Sequence, residues 1–172
     1  MTITIDIALR VLLAVGCGAL IGLERQWRAR TAGVRTNALV SLGAALFVVM
    51  GAFSFHGPDA DPTRVAAQVV SGIGFLGAGV IMKQGASISG LNTAATLWAS
   101  AAVGALAGGG LWAVAAGGTV LIMLANTLLR PVGRLLDRRA AGAGLESTEV
   151  DYTVEVRCRV DAEPDVRALV FD

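Results

Sequence analysis

Charge is what this chain has least of. Only 16 % of its 172 residues are Asp, Glu, Lys or Arg, where a soluble domain carries about 25 %. Aromatics are scarce at 5 %, while 55 % of residues are hydrophobic and 22 are glycine. That balance excludes an ordinary water-soluble core and points to a membrane protein. Basic and acidic residues nearly cancel, 14 against 13, for a net charge of +1, which removes the bulk electrostatic case for nucleic-acid binding. The two cysteines, Cys17 and Cys158, lie far apart in the chain and give neither a disulfide framework nor a zinc pattern. With His56 as the sole histidine, a Ser-His-Asp triad or a two-histidine metal site would have to rest on one exposed loop. No catalytic constellation is visible, and the chain reads as a non-enzyme.

What is present is long uncharged runs, at residues 11–23, 36–58, 65–82 and 84–129. A helix needs about 20 mostly apolar residues to cross the hydrocarbon core. The second and third runs fit one crossing each. The fourth is long enough for two, broken at Gly108-Gly109-Gly110, where glycine tolerates turn geometry. The first is short, so its helix must begin near Ile5 and include Asp6 and Arg10, whose i, i+4 spacing lets them pair. The arginine can also snorkel toward headgroups. A cleaved signal peptide is rejected because the run ends in Glu24-Arg25-Gln26-Trp27-Arg28 rather than in small residues. The expectation is an all-α polytopic domain over 1–130 with five transmembrane helices near 5–23, 37–55, 65–82, 91–107 and 111–129.

Five crossings put Arg25, Arg28, Arg30 and Arg35, then Lys83, then Arg130, Arg134, Arg138 and Arg139 on one side. The positive-inside rule makes that side cytoplasmic, with the N-terminus periplasmic and the C-terminus cytoplasmic. Trp27 and Trp112 fall near the expected interfaces and Trp98 falls mid-span. A basic segment and linker cover 131–149. From Val150 the chain alternates, with Val150, Tyr152, Val154, Val156, Cys158 and Val160 on one face and polar residues on the other, as a half-buried strand does. Val166, Leu169 and Val170 then have helical spacing. Residues 150–172 are therefore expected to begin a soluble cytoplasmic domain that is cut short.

Gly72-Ile73-Gly74-Phe75-Leu76-Gly77 spells a dinucleotide-binding fingerprint, but no strand precedes it and the next acidic residue is Asp137, which removes that reading. As a membrane helix, the segment carries Gly72 and Gly79 on one face and Gly74 and Gly77 roughly opposite, so it is expected to be a central helix gripped by neighbours on both flanks. A hinge or a thin barrier across a pathway is the functional alternative. The first span carries Gly18-x-x-x-Gly22, and the fourth is small-faced through Ala94, Ala95, Ala99, Ala102 and Gly104. Glu24, Arg25, Arg35, Arg64 and Lys83 fall near span edges. They read as topology anchors, ahead of a sharper alternative in which Glu24, Arg25 and Arg35 form a buried cytoplasmic-side cluster. Asn92 and Thr93 read as an N-cap of the fourth span, or as a polar contact at the cytoplasmic mouth. Asp59 and Asp61 offer carboxylates of the kind Mg²⁺ uses, but a solvated Gly-Pro-Asp turn is the better reading, so no bound cofactor or metal is expected. Cys17 and Cys158 read as packed thiols.

Four stretches carry a family resemblance: Gly22-Leu23-Glu24-Arg25-Gln26-Trp27-Arg28, Ala32-Gly33-Val34-Arg35-Thr36-Asn37-Ala38-Leu39-Val40, Arg64 through Ile81, and Gly90-Leu91-Asn92-Thr93-Ala94-Ala95-Thr96-Leu97-Trp98. In this order they resemble the MgtC/SapB family of bacterial inner-membrane proteins. The resemblance implies five spans and a cytoplasmic ACT-like, ferredoxin-type α+β domain, truncated here. It implies a virulence-associated factor needed for growth at low Mg²⁺ and for survival inside macrophages. It further implies a regulator acting on membrane ATPases such as the proton-translocating ATP synthase, with Glu24, Arg25, Arg35, Asp61, Arg64, Asn92 and Cys158 matching functionally suspect positions. Expected partners are membrane lipids, other membrane proteins or a second copy of the chain. Transport of Mg²⁺ or another small solute, or an accessory role in it, is the competing function.

Overall fold

The computed structural model describes residues 2–54, 61–84 and 87–142. Within them the chain forms α1 (Thr2–Trp27), α2 (Val34–Ser54), α3 (Pro62–Val80), a hairpin of β1 (Met82–Gln84) and β2 (Ser87–Ser89), α4 (Leu91–Gly108) and α5 (Trp112–Gly142). The chain divides into two compact units, Met1–Gly133 and Arg134–Asp172. In the second, only the end of α5 is described. The expected strand, Cys158 and the ACT-like domain lie outside the described residues, as do His56 and Asp59.

Four helices are long and apolar enough to cross a membrane, over Ile3–Trp27, Val34–Ser54, Thr63–Val80 and Trp112–Gly133. The fifth, α4, is not among them, because Asn92, Thr93, Thr96 and Ser100 lower its hydropathy. Those side chains have a structural reason. Packed against α1, α2 and α3, α4 buries Thr93, Thr96 and Ser100, and helices in oil use such hydroxyls between one another.

The central helix is therefore α4 rather than α3, which corrects the sequence expectation. Gly72, Gly74 and Gly79 meet nothing within 4 Å of where a Cβ would stand, and Gly77 meets only the Ala94 Cβ at 3.6 Å. The glycines that do permit close approach lie elsewhere. A Cβ on Gly18 would lie 2.5 Å from the Asn37 carbonyl oxygen, one on Gly22 2.5 Å from the Val34 Cα, and one on Gly108 2.6 Å from the Ala45 carbonyl oxygen. One on Gly104 would overlap the Ser41 carbonyl. These contacts bring α1, α2 and α4 together backbone to backbone.

Two apolar clusters share the α2–α4 wall. Ala14, Cys17 and Ile21 of α1 pack with Ala45, Val103, Ala107 and, from α5, Ala115. On the other side Ala44, Ile73 and Ala101 meet. Cys17 is buried, as a packed thiol should be. The expected third span runs to residue 82, but α3 ends at Val80 with Ile81 as its C-cap, and Met82 pairs with Ser89 in the hairpin. Gly90, at φ +89°, then turns the chain into α4.

If these backbone contacts set the packing, Gly104→Ala destabilises the protein by about 1–3 kcal/mol, the usual cost of overpacking. Gly16→Ala, with nothing within 4 Å, is neutral or slightly stabilising by helix propensity. Thermal unfolding of the two variants in detergent checks this, and equal melting temperatures refute it.

Candidate functional site

The last turns of α1 carry Glu24, Arg25 and Arg28. The expectation of edge anchors fails for the first two: Glu24 is 8 % exposed and Arg25 3 %. Arg25 donates from one terminal nitrogen to the Thr93 hydroxyl of α4 at 2.6 Å and to the Thr31 carbonyl at 2.9 Å. The Thr31 and Thr93 hydroxyls are themselves 2.9 Å apart. Thr93 lies in the first turn of α4, where the helix dipole is positive, so hydrogen bonds rather than the dipole hold this cation. Glu24 pairs instead with Arg28, Oε1 to Nε at 2.5 Å, and Arg28 reaches the Thr127 hydroxyl of α5 at 3.2 Å. Among the described residues, Glu24 Oε2 and Arg25 Nε are buried without a hydrogen-bond partner.

Between α1 and α2 the chain turns through two alanines in the left-handed region, Ala29 at φ +51° and Ala32 at φ +58°. Such conformations cost roughly 1–3 kcal/mol each and persist where the surroundings fix them. Here the Arg30 N–H donates to the Arg25 carbonyl at 3.0 Å. The Asn37 amide donates to the Ala32 and Gly33 carbonyls at 2.6 and 3.0 Å. The Val34 N–H donates to Gln26 Oε1 at 3.2 Å. Fully buried Asn37 also accepts from the Ser100 hydroxyl at 2.8 Å, and Ser41 donates to the Ala14 carbonyl at 2.7 Å. One polar network thus binds the α1–α2 turn to α2 and α4.

At the opposite end of the bundle Arg10 pairs with Asp6 at 2.7 Å, as their spacing predicts. Its guanidinium turns inward, donating to the Gly108 carbonyl at 3.1 Å and lying 5.5 Å from the Phe53 ring. There it satisfies an orphan carbonyl at the negative end of α4.

The remaining candidates scatter. Arg35 is exposed at the start of α2, outside the Glu24–Arg25 cluster, and borders a groove between α2 and α3. Arg64 is exposed in the first turn of α3, preceded by Asp61, which is the N-cap rather than part of a free turn. Asn92 is exposed. It does not cap α4, whose N-cap is Gly90 without a side-chain bond; its backbone carbonyl accepts from Thr96 at 2.8 Å. Trp27 is 90 % exposed. Among the described residues no His, Cys, Asp and Glu side chains gather as a metal site. Sequence reading passed over Arg28, Asn37, Ser41, Thr96 and Ser100. Their signal was helical spacing of polar residues inside apolar runs: Asn37 and Ser41 are four apart, and Thr93, Thr96 and Ser100 fall on one face.

Two tests follow from this geometry. Thr93→Val leaves a buried arginine short of a hydrogen bond, an interaction worth about 1.5–3 kcal/mol when one partner is charged. It should lower the melting temperature in detergent, while Thr93→Ser should restore it. At Asp61, the Thr63 hydroxyl at 2.6 Å, and after it the Thr63 backbone N–H at 2.9 Å, hold the carboxyl below the usual carboxylate range. A carboxylate with a depressed folded pKa contributes stability that is complete above its unfolded pKa and is lost as pH falls through the folded value. Thr63→Val should therefore raise the Asp61 pKa part-way toward the ordinary range in a carboxyl-carbon NMR titration, and Thr63→Ser should keep it low.

A family model described as MgtC family matches residues 11–135, which include the candidate site residues except Asp6, Arg10 and Cys158. The chain is 55 % identical over 154 residues to Protein MgtC of Brucella abortus, covering 90 % of this chain and 63 % of that protein. It is 49 % identical over 159 residues to Protein MgtC of Salmonella choleraesuis, covering 92 % and 66 %. It is 48 % identical over 166 residues to the uncharacterized protein slr0014 of Synechocystis, covering 95 % and 68 %. The chain thus spans about two thirds of the length of these curated relatives. No solved structure matches it. On the family model and these identities, the chain belongs to the MgtC family.

Proposed function

We propose that this chain is a non-enzymatic regulator of the bacterial inner membrane that works by binding other membrane proteins through an exposed helix face. The observation that carries the reading is the outer face of α3. Ala67, Ser71, Gly74 and Ala78 recur at helical spacing and are all exposed, and Gly74 has open space where a Cβ would be. In lipid, burial of apolar surface does not drive helices together, and small residues that let backbones approach do. A face of this kind without a neighbour among the described residues suits a helix from another protein.

On this reading all five helices cross, α4 being carried by its neighbours. Arg25, Arg28, Arg30, Arg35 and Lys83 gather where α1 ends and α2 and α4 begin, and the positive-inside rule makes that end cytoplasmic. The N-terminus is then periplasmic, and the segment after α5 leads to a cytoplasmic domain. Membership in the MgtC family supports a role in growth at low Mg²⁺ and in survival within macrophages, with a membrane ATPase such as the ATP synthase as partner. Mg²⁺ then enters through physiology rather than as a bound cofactor. Transport is the weaker reading, because Arg25 to Thr93, Ser41 to the Ala14 carbonyl and Ser100 to Asn37 hydrogen-bond between α1, α2 and α4, although Glu24 Oε2 and Arg25 Nε have no hydrogen-bond partner among the described residues.

Gly74→Leu should abolish co-purification of the ATP synthase from membranes while leaving the melting temperature unchanged. Complexes that survive Gly74→Leu intact rule out this face as the contact.

A further inference from the structure

We propose that the groove between α2 and α3 holds an anionic phospholipid of the bilayer, with its phosphate on Arg35 and its acyl chains along the groove. The cavity measures about 850 Å³ and is walled by α2 and α3, with Ala101 of α4 at its floor. Its lining is largely apolar, and Leu39, Phe47 and Leu76 on its rim are each half exposed. It therefore opens outward onto what surrounds the helices. At the depth of a transmembrane helix that medium is hydrocarbon, and a cleft open to it fills with chains rather than water.

The width of the groove comes from missing side chains. Gly43 on α2 and Gly72 on α3 both line it, and a Cβ on either would meet no other part of the fold within 4 Å among the described residues. Its polar lining is Arg35, Thr36 and Gln68. Arg35 is the single charged group in the lining, sits in the first turn of α2, and makes no hydrogen bond or ion pair among the described residues. A groove that is mostly apolar, with Thr36 and Gln68 as its uncharged polar groups and a cation at one mouth, has the shape and charge of a phospholipid with an acidic headgroup. Basic pockets between transmembrane helices recognise such headgroups. A transmembrane helix fits less well. With side chains it is about 10–12 Å across, broader than an acyl chain, and an apolar one offers Arg35 no counter-charge. The inference rests on the chain lying in a bilayer and not on the regulatory role.

The test is native mass spectrometry of the full chain released from nanodiscs of equal phosphatidylglycerol and phosphatidylcholine. Wild type should retain the anionic lipid over the zwitterionic one by about fivefold, the preference one surface cation confers. Arg35→Gln should bring that ratio to about one, and Arg35→Lys should keep most of it, as a shared charge predicts. Gly72→Leu, or Gly43→Leu on the opposite wall if the first fails to fold, should cut retention of both lipids at an unchanged melting temperature. Equal retention of the two lipids by wild type overturns the proposal, as does a preference that survives Arg35→Gln. It is also overturned if the leucine variants hold lipid normally or instead break a cross-linked dimer, which would make the groove a contact with a second copy. Loss of partner binding by Gly74→Leu leaves this result untouched, so the two readings fail separately.

Discussion

The hydrogen bond from Arg25 to Thr93 is the constraint on which the rest of the bundle depends. A charge taken out of water is costly unless it is hydrogen-bonded, and the charge here is nearly sealed from solvent. Arg25 lies fifteen residues along α1 from Arg10, a rise of about 22 Å, so the two cations sit toward opposite faces of a hydrocarbon layer about 30 Å thick. Each is tied to one end of α4. With Arg10 on the last turn of α4 and Arg25 on its first, the register of α1 against α4 is fixed at both ends. The side-chain bonds also need near contact of backbones, which Gly18, Gly22, Gly104 and Gly108 permit. Close packing brings the polar groups within reach, and the polar groups then hold the close packing in place. A bulky residue at one of those glycines and an apolar one at Thr93 disturb the same arrangement from different sides.

The helices were legible in the sequence because hydrocarbon imposes a length, and a run of uncharged residues can be measured against it. The Asp6–Arg10 pair was legible because its geometry lies within one helix. The neighbours of each helix were not legible. Gly72 and Gly104 look alike in the chain, yet one faces open space and the other the backbone of Ser41. In water an apolar face announces an interior, but in lipid the outside is apolar as well, so the glycine pattern of α3 pointed to the wrong central helix. The polar stripe of α4 was the better guide, since a hydroxyl gains little by facing lipid. The burial of Glu24 and Arg25 escaped for a related reason. A charge at the end of an uncharged run reads equally well as an anchor in the headgroups, and for Arg25 it is the contacts with Thr31 and with Thr93 of α4 that place it inside the fold. The hairpin after α3 has three-residue strands, too short to show an alternating pattern.

Polar ties and loose edges divide the molecule. The α1–α2 turn and α4 are bound by Arg25, Asn37 and Ser100, and α2 is tied to α1 by Ser41, while α3 meets α2 and α4 through small and aliphatic contacts such as Ile73 on Ala44 and Ala101. The inner group can hold two left-handed alanines in place because four side chains and backbone groups converge on that turn. Among the described residues nothing comparable fixes the outer faces of α3. A surface that must accept different neighbours in a fluid bilayer is better built this way, from a helix whose own fold places few demands on it.

The two exposed features of α3 also lie apart. Gly72 and Gly74 differ by two residues, so at about 100° per residue they point roughly 160° from each other around the axis. The groove runs along Val65, Val69, Gly72 and Leu76. The small-residue face runs along Ala67, Ser71, Gly74 and Ala78. A lipid seated against α2 therefore leaves the other face bare, and a helix docked on that face need not displace the lipid. Such a lipid would fill the groove between α2 and α3 and stiffen α3 from behind, leaving less conformational freedom to be lost when a partner binds. The lightly packed helix would then be steadied by the membrane on one side in readiness for a protein on the other. This arrangement gives a use to the open glycines on both faces of α3.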